Sequence, residues 1–307
     1  MDAAPRASVI LCVRNGGDTL VQQLDALGRE AKAATPWELL VVDNGSTDGS
    51  QSVVAAWLGG HPEVTGRLVD GSARPGLAAA RNIGAGAARG ELLLFCDADD
   101  EVQPGWVDAH VRALEDGDLA GGPVDTVLLN SPEVRSWRAA LWPPDGTCLH
   151  ENAYTGMAAP LGANMSVRAS AYRAVGGCDE RLRIASDELD LCWRMRLAGM
   201  RVVPAPGAVV AYRFRSDVRG LARQFRNYGR SEAILREKYR GQGIYPRLSL
   251  HREWEVARWL LGEARLLRQP MGPERADWIQ RSSYRVAMWR GLLVLAVRRR
   301  LRVVGPR

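Results

Sequence analysis

The sequence Leu92-Leu93-Leu94-Phe95-Cys96-Asp97-Ala98-Asp99-Asp100 sets an apolar run directly against three carboxylates. The run has the length and composition of a buried strand. Because ionised carboxylates are costly to bury, we expect the strand to leave the sheet at Asp97, where these groups face solvent or a cation. Ligands bind at such strand ends in open α/β sheets. The stretch therefore predicts a ligand site, with a simple acidic turn that caps the next helix as the alternative.

Hard carboxylate oxygens at a strand end suit Mg²⁺ or Mn²⁺. Mg²⁺ is usually held by one or two carboxylates together with substrate phosphates. The four histidines of the chain are scattered and form no pair with metal-ligand spacing. The sequence therefore points to the acidic run, and to no histidine, as the place for a metal.

Upstream of this run, apolar stretches alternate with segments of helical period. Residues 8–13 and 37–42 are predicted to be strands, and the stretch between them places Leu20, Leu24 and Leu27 on one helix face. Strands that alternate with helices are typical of a largely parallel sheet covered by helices on both faces. The predicted fold class is therefore α/β.

Four segments follow one another in the chain: VVDNGSTDGS (41–50), GLAAARNIGAGAARGE (76–91), FCDADD (95–100) and SDELDLCWRMRLAG (186–199). In sequence and in order they resemble the family 2 glycosyltransferases, which are inverting enzymes with the GT-A fold. The resemblance runs from about Ser8 to Tyr228 and fades beyond. It implies a GT-A (Rossmann-like) sheet, a nucleotide-diphosphate sugar as donor, a hydroxyl group as acceptor, and Mg²⁺ or Mn²⁺ as cofactor.

The resemblance also implies donor-binding residues. Asp43 matches the family residue that accepts the N3–H of uracil, and a pure acceptor favours uracil, thymine or guanine over cytosine. A UDP-sugar is thus favoured, with dTDP- and GDP-sugars open, and an Asx turn is the alternative role of Asp43. Arg14 and Asn15, on the first strand-to-helix turn, are expected to line the same pocket. The resemblance places Arg81 near the phosphates and Asn164 near the donor sugar.

Asp97 and Asp99 resemble the metal-and-ribose pair of the family, with Asp99 as the direct metal ligand. A metal there would stabilise the leaving diphosphate as a Lewis acid. Many relatives place a His after a later strand, here 208–211, that helps to hold the metal. This chain has Tyr212 instead, so we expect coordination to depend on Asp99, phosphates and water.

The catalytic base is expected in Ser186-Asp187-Glu188-Leu189-Asp190-Leu191. The family pattern reads Glu-Asp, any residue, then Asp-Leu. With Ser186 taken as its first position, Asp187 matches the base that removes the proton of the acceptor hydroxyl, and Glu188 is the fallback candidate. Acidic residues that merely favour a helix N-terminus after an N-cap serine are the alternative interpretation.

The spacing of this segment also predicts how its helix is oriented. Leu189, Trp193 and Leu197 lie four residues apart and are expected to form the buried face. Asp187 and Asp190 are then expected on a different face.

At 307 residues, and with about 150 residues as a prior for one domain, the chain has room for two domains. We predict a GT-A domain over 1–215, with a nucleotide-binding half at about 1–102 and an acceptor half at about 103–215. Residues 216–307 are predicted to form a basic, Trp-rich helical region. The five cysteines are odd in number and lack paired spacing, which favours a reducing cytoplasm. The polar N-terminus does not resemble a signal peptide.

The net charge of +6 is unevenly placed, because much of the Lys and Arg lies after Arg213. Basic residues beside Trp and Leu are typical of an interfacial helix, so we expect either peripheral contact at the inner face of the membrane or a packed helical subdomain with a solvated Arg face. The apolar run 286–297 is interrupted by Arg290 and falls short of the ~20 residues of a membrane span. The basic residues follow no nucleic-acid-binding module.

Other function classes fit the sequence less well. A sugar nucleotidylyltransferase needs a Gly-rich phosphate loop that Arg14-Asn15-Gly16-Gly17 does not provide. A Rossmann dehydrogenase is excluded because no Gly-x-Gly-x-x-Gly follows the first strand. A degenerate nucleotide-sugar-binding or scaffold protein without transferase activity stays open, because Ser186 and Tyr212 depart from the family pattern.

Overall fold

The apolar runs of the sequence lie at the centre of a seven-stranded sheet in the computed structural model, which describes residues 4–137, 145–152, 155–245 and 248–304. Two small sheets accompany it, of three and two strands. In chain order the strands are β1 Ala7–Val13, β2 Trp37–Asp43, β3 Gly66–Asp70, β4 Leu92–Asp97, β5 Glu101–Val102, β6 Leu119–Gly121, β7 Val124–Asp125, β8 His150–Glu151, β9 Ala158–Ala159, β10 Asn164–Arg168, β11 Val202–Pro204 and β12 Val210–Ala211.

The main sheet has the strand order β11-β6-β10-β4-β1-β2-β3. Strand β1 is parallel to β2 and β4, and β2 is parallel to β3. Strand β10 is antiparallel to both of its neighbours, while β11 is parallel to β6. Six strands of this sheet thus point one way and β10 points the other way, which confirms the predicted α/β class with a mostly parallel sheet.

Helices connect the strands and flank the sheet. They begin and end close to the residues that the sequence pattern indicated, and α1 buries Leu20, Leu24 and Leu27 as predicted. The helices are α1 Gly17–Arg29, α2 Ser50–Gly60, α3 Leu77–Ala87, α4 Trp106–Asp116, α5 Pro132–Ser136, α6 Ala169–Ala174, α7 Asp187–Leu197, α8 Val218–Lys238, α9 Leu250–Gly262 and α10 Pro273–Val304, with short 3₁₀ turns at Glu30–Lys32 and Ala264–Arg268.

Helix α3 lies against β1 and β2 because its facing residues are small. Ala78 and Ala80 are fully buried in the core. A Cβ atom at Gly84 would lie 2.5 Å from Cγ2 of Ile10 and 3.0 Å from Cγ2 of Val42, so a larger residue would push the helix outward. This close approach brings Arg81, near the middle of α3, down onto the sheet.

Helix α7 differs from its prediction in which face it buries. Leu197 is 61% exposed, whereas Asp187 and Asp190 are both fully buried. Asp190 accepts a hydrogen bond from Nε of Arg194 at 2.8 Å, and Asp187 is also paired with an arginine. The predicted apolar face was therefore wrong at Leu197, because ion pairs allow the two carboxylates to be buried instead.

The described residues divide into two compact units. The first contains those within Met1–Leu129, Pro143–Asn152 and Met157–Arg213, and the second those within Asn130–Trp142, Ala153–Gly156 and Phe214–Arg307. In the second unit α8 and α10 pack through small residues, since a Cβ at Gly291 would lie 2.7 Å from Cβ of Ala233. Across the described ranges, no helix combines the length and the apolar character needed to cross a bilayer.

Candidate active site

The parallel strands bring three loops to one edge of the main sheet. Val13, the last residue of β1, is paired with Asp43, the last residue of β2. On its other side β1 pairs Cys12 with Asp97, the last residue of β4. The residues that follow these three strands therefore emerge side by side, where an open α/β sheet binds its ligands.

Hydrogen bonds join the loops after β1 and β2. The backbone N–H of Asn15 donates to Oγ of Ser46 at 2.9 Å, and the side-chain oxygen of Asn15 accepts from the N–H of Thr47 at 2.8 Å. Asn15 has a φ of 55°, which asparagine tolerates better than most residues. Arg14 precedes it with an exposed side chain. Both residues thus directly follow Val13, which is paired with Asp43 across the sheet.

Asp43 itself is buried at the start of the second loop. Its carboxylate accepts from Nε2 of Gln51 at 2.7 Å and from the backbone N–H groups of Gly45 and Ser46 at 3.2 to 3.3 Å. The Asx-type turn that stood as the alternative is therefore present. Oδ1 accepts only the backbone N–H of Ser46 among the hydrogen bonds of the described residues, and an ionised carboxylate can accept more than one hydrogen bond on each oxygen.

The acidic run forms a cluster of carboxylates beyond β4. Asp97, Asp99 and Asp100 each place a carboxylate oxygen within 4.8 Å of the others. Asp97 and Asp99 are partly exposed, and Asp100 is buried. Oxygen ligands of this kind suit Mg²⁺ or Mn²⁺, and carboxylates this close favour a bound cation because they otherwise repel each other. The residues present therefore fit a divalent metal.

Arg213 supports this acidic turn and was not identified from the sequence. Its backbone N–H donates to Oδ1 of Asp100 at 2.7 Å, and its Nε donates to the carbonyl oxygen of Asp99 at 2.9 Å. Its Nη2 reaches Oε1 of Gln22 at 2.6 Å and lies 3.6 Å from Oε1 of Glu101. Tyr212, where the chain departs from the pattern of the family that it resembles, directly precedes Arg213 and is the sequence signal that pointed here.

Arg81 connects the acidic turn with helix α7. Its Nη1 donates to Oδ2 of Asp187 at 2.8 Å, and its Nη2 donates to the carbonyl oxygen of Gly162 at 2.7 Å. The same Nη2 lies 3.4 Å from Oδ1 of Asp97. The side chain is only 2% exposed, and its guanidinium binds protein groups. The place near the donor phosphates that the resemblance implies for Arg81 stays a prediction.

The start of α7 separates the two candidate bases. Ser186 precedes the helix with a φ of 63°, and its side chain makes no capping hydrogen bond. Asp187 is fully buried against Arg81, whereas Glu188 is partly exposed. Non-glycine residues with positive φ are uncommon and cluster at functional sites. In the described part of the chain only Asn15 and Ser186 have this geometry, and both lie in loops of this site.

Glu188 lies in surroundings that make its carboxyl group bind a proton more tightly than usual. Burial and the nearby Asp187 carboxylate raise the pKa of Glu188 to about 8. A Cβ on Gly162 would lie 3.2 Å from Oε2 of Glu188, so the small residue leaves room for the carboxyl group. The sequence also supports Glu188 when the family pattern is aligned on its last two positions, Asp190-Leu191. The Glu-Asp pair of the pattern then matches Asp187-Glu188, and Glu188 takes the position of the base.

Asn164 is placed differently from its predicted role near the donor sugar. Its side chain is fully buried, and its Oδ1 accepts from Nε1 of Trp106 at 2.8 Å and lies 2.9 Å from Nε2 of His110. Its Nδ2 donates to the carbonyl oxygens of Pro123 and Ala208 at 2.8 and 2.7 Å. Since these contacts occupy the amide, we leave Asn164 out of the direct donor contacts proposed below.

Acidic groups gather around two arginines at this edge of the sheet. Asp97 and Asp187 contact Arg81, and Arg213 contacts Asp100, Glu101 and the carbonyl oxygen of Asp99. The carboxylates of the acidic turn give this edge a negative charge that attracts a divalent cation.

A mostly parallel sheet with an acidic turn at its carboxyl edge is the arrangement expected of the GT-A fold class. The model of "Glycosyl transferase family 2" matches residues 8–173, and that of "Glycosyl transferase family group 2" matches residues 92–302. This chain belongs to glycosyl transferase family 2. The matched ranges contain every residue of the site from Arg14 to Arg213.

Two curated relatives illustrate the similarity. The succinoglycan biosynthesis protein ExoO of Rhizobium meliloti is 32% identical over 146 residues, which is 46% of this chain and 39% of that protein. The pre-mycofactocin glycosyltransferase of Mycobacterium tuberculosis is 29% identical over 240 residues, which is 74% of this chain and 47% of that protein. The chain thus spans less than half the length of these relatives.

Two solved structures share the fold. The mannosyltransferase PcManGT from Pyrobaculum calidifontis, in complex with GDP-Man and Mn²⁺, superposes with a TM-score of 0.56 at 19% identity, covering 100% of this chain and 77% of that one. Residues 1–349 of TarS from S. aureus, in complex with UDP, give a TM-score of 0.51 at 16% identity, covering 92% of this chain and 90% of that one.

The buried position of Arg81 predicts a large cost for its removal. Arg81→Met leaves Asp187 buried without its cation, so we expect a loss of about 3 to 5 kcal/mol in the free energy of unfolding, measured by urea denaturation. The matched control is Arg74→Met, because Arg74 pairs with Glu180 at 2.7 Å on the surface. That change should cost below about 1 kcal/mol. Equal costs for the two variants would contradict the role given to Arg81.

Proposed function

We propose that this protein transfers a sugar from a nucleotide-diphosphate donor to a hydroxyl acceptor, with inversion at the anomeric carbon. The observation that supports this most strongly is the Arg81 bridge. By contacting Asp97 at 3.4 Å and Asp187 at 2.8 Å, Arg81 holds the acidic turn and the start of α7 in one site. A candidate metal-binding carboxylate and a candidate base then face one reaction centre. In a direct displacement, a base can take the acceptor proton while a metal stabilises the leaving diphosphate.

In this proposal Asp99 and Asp97 hold the Mg²⁺ or Mn²⁺ ion. When bound, the ion would neutralise the charge that develops on the diphosphate as the sugar bond breaks. Asp100 is buried and bonded to Arg213, so we assign it to the support of the turn. Tyr212 offers a phenol, which is a poor ligand for Mg²⁺ at neutral pH, and the donor phosphates are expected to complete the coordination.

Glu188 is proposed as the general base, with Asp187 as the residue that positions Arg81. The Glu188 carboxylate takes the proton of the acceptor hydroxyl while that oxygen forms its bond to the anomeric carbon. The bond from this carbon to the diphosphate breaks in the same step, and the nucleoside diphosphate leaves. Asp187 is the weaker candidate, because its burial against Arg81 keeps it away from an incoming hydroxyl.

The donor base is proposed to bind at Asp43, with Arg14 and Asn15 lining the same pocket. A carboxylate acceptor favours a base with a ring N–H, so a UDP-sugar is preferred and dTDP- or GDP-sugars are alternatives. The bound GDP-Man of PcManGT and the bound UDP of TarS are ligands of those proteins, and both contain a base of this kind. We assign the transferase to residues 1–215 and a separate helical region to 216–307.

The proposed metal ligand gives the first test of this function. Asp99→Asn removes the charge of a direct ligand, so UDP binding in the presence of Mn²⁺ should weaken by at least about tenfold in calorimetry, since a ligand carboxylate contributes more than about 1.4 kcal/mol. Asp116→Asn, an exposed change on α4, is the control and should bind as the wild type does. Unchanged Mn²⁺-dependent binding by Asp99→Asn would remove Asp99 from the metal site.

Paired amide variants test the assignment of the base. Glu188→Gln should lower the rate of sugar transfer by about 10²- to 10⁴-fold while UDP and Mn²⁺ still bind, because only the proton acceptor is lost. Asp187→Asn should reduce transfer less than Glu188→Gln does. Transfer is measured with UDP-sugar and hydroxyl acceptor panels, and product NMR reads the anomeric configuration. If Asp187→Asn alone abolished transfer, the original assignment of Asp187 would stand.

The raised pKa of Glu188 predicts a pH dependence. A base acts only when it is deprotonated, so kcat/KM should rise with pH and level off above the midpoint near 8 that its pKa indicates. Mn²⁺-dependent UDP binding, measured over the same pH range, controls for loss of the donor site. A flat profile between about pH 6 and 9 would show that no group with this pKa limits the reaction.

A further inference from the structure

The second compact unit has a charge opposite to that of the first. Residues 214–307 contain 22 of the 41 Lys and Arg residues of the chain and only 8 of its 35 Asp and Glu residues. The basic excess is therefore confined to this region, and the preceding residues are acidic overall. A strongly basic region attracts anionic surfaces over the distance of a Debye length.

Helix α9 uses one of its faces to pack within this unit. Glu253 accepts a hydrogen bond from Nη1 of Arg285 at 3.1 Å and another from Nε1 of Trp289 at 2.9 Å. The carbonyl oxygen of Leu260 accepts from Nε1 of Trp278 at 2.9 Å, and the Leu260 side chain is buried. These contacts attach α9 to α10 along the Glu253 and Leu260 side and determine which side of α9 faces outward.

The outward side of α9 presents large apolar residues to solvent. Leu250 is 84% exposed, Trp254 is 64% exposed and Leu261 is 77% exposed. Their spacing of four and seven residues places them on one face of the helix. Single exposed apolar residues are ordinary, but three large ones in a row along one helix face are not. Arg258 lies between Trp254 and Leu261 and is also exposed.

Helix α10 has a second stripe of the same kind. Val286, Leu293 and Val297 are exposed at helical spacing. The stripe leads directly into the exposed basic run Arg298-Arg299-Arg300. Apolar side chains next to arginines on both helices provide the two contacts that a helix lying on a membrane surface makes.

We propose that the outward faces of α9 and α10, defined by Leu250, Trp254 and Leu261 and by Val286, Leu293 and Val297, bind the surface of an anionic phospholipid membrane. Leucine side chains enter the boundary of the acyl chains, and tryptophan is favoured at the level of the headgroups. The neighbouring arginines pair with lipid phosphates. A membrane is favoured over a protein partner because exposed apolar groups and a large cationic excess occur in the same unit. This inference goes beyond the proposed reaction and does not depend on it.

Flotation of the whole chain with lipid vesicles tests this inference without any substrate. Wild-type protein should float with vesicles of phosphatidylcholine and phosphatidylglycerol, and much less with phosphatidylcholine alone. The bound fraction should fall when NaCl is raised from about 0.1 to 0.5 M, because salt screens the arginines. The double variant Trp254→Glu, Leu261→Glu should bind at least about tenfold more weakly, since it replaces apolar contacts with charges repelled by the lipid.

The matched control is the double variant Val127→Glu, Leu128→Glu, which adds the same two charges at exposed apolar residues of the first unit. It should float as the wild type does, and circular dichroism should show that all variants are folded. Equal flotation of the double variant and the wild type would overturn the proposal. So would an absence of flotation with anionic vesicles, or a dimer in sedimentation that the double variant abolishes, because these faces would then join two copies of the chain.

Discussion

The site depends on one buried cation, the guanidinium of Arg81. Two carboxylates that belong to different parts of the chain, Asp97 and Asp187, would repel each other without it, and Asp187 would resist burial. The small residues of α3 allow the helix to approach the sheet closely, and Arg81 reaches this position for that reason. The close approach of α3 to the sheet therefore explains both the packing of its small apolar residues and the position of Arg81 in the site.

Two adjacent carboxyl groups at the start of α7 have different surroundings, and their surroundings assign them different tasks. Asp187 receives a hydrogen bond from a cation and is closed off from solvent. Glu188 lies beside that charge, reaches the surface, and has a pKa of about 8. A pair of acids whose environments differ in this way is a common arrangement in enzymes, because one group can hold its charge while the other exchanges a proton.

Much of this fold was predictable from the sequence, and the exceptions have a common cause. The strands ending at Val13, Asp43 and Asp97 follow from apolar runs, and parallel pairing then brings their ends together. Periodicity failed in α7, because an ion pair with a residue more than a hundred positions away decides whether Asp187 is buried. The hydrogen bonds of Asn164 and Arg213 could not be predicted for the same reason: their partners are distant in sequence, and local patterns do not reveal them.

Strand β10 runs against its neighbours, and this reversal has a chemical consequence. Six strands end with their carboxyl ends at the sheet edge that carries the site. Strand β10 begins there instead, since its first residue, Asn164, pairs with Cys96 near the end of β4. The residues just before β10 therefore lie at the site, and the main-chain carbonyl of Gly162 accepts a hydrogen bond from Arg81. This acceptor is a backbone oxygen, so any residue at position 162 could supply it. The space at position 162 nevertheless requires glycine, because a Cβ there would lie 2.8 Å from the Arg81 guanidinium. A larger residue would therefore disturb the contacts of Arg81 with Asp97 and Asp187.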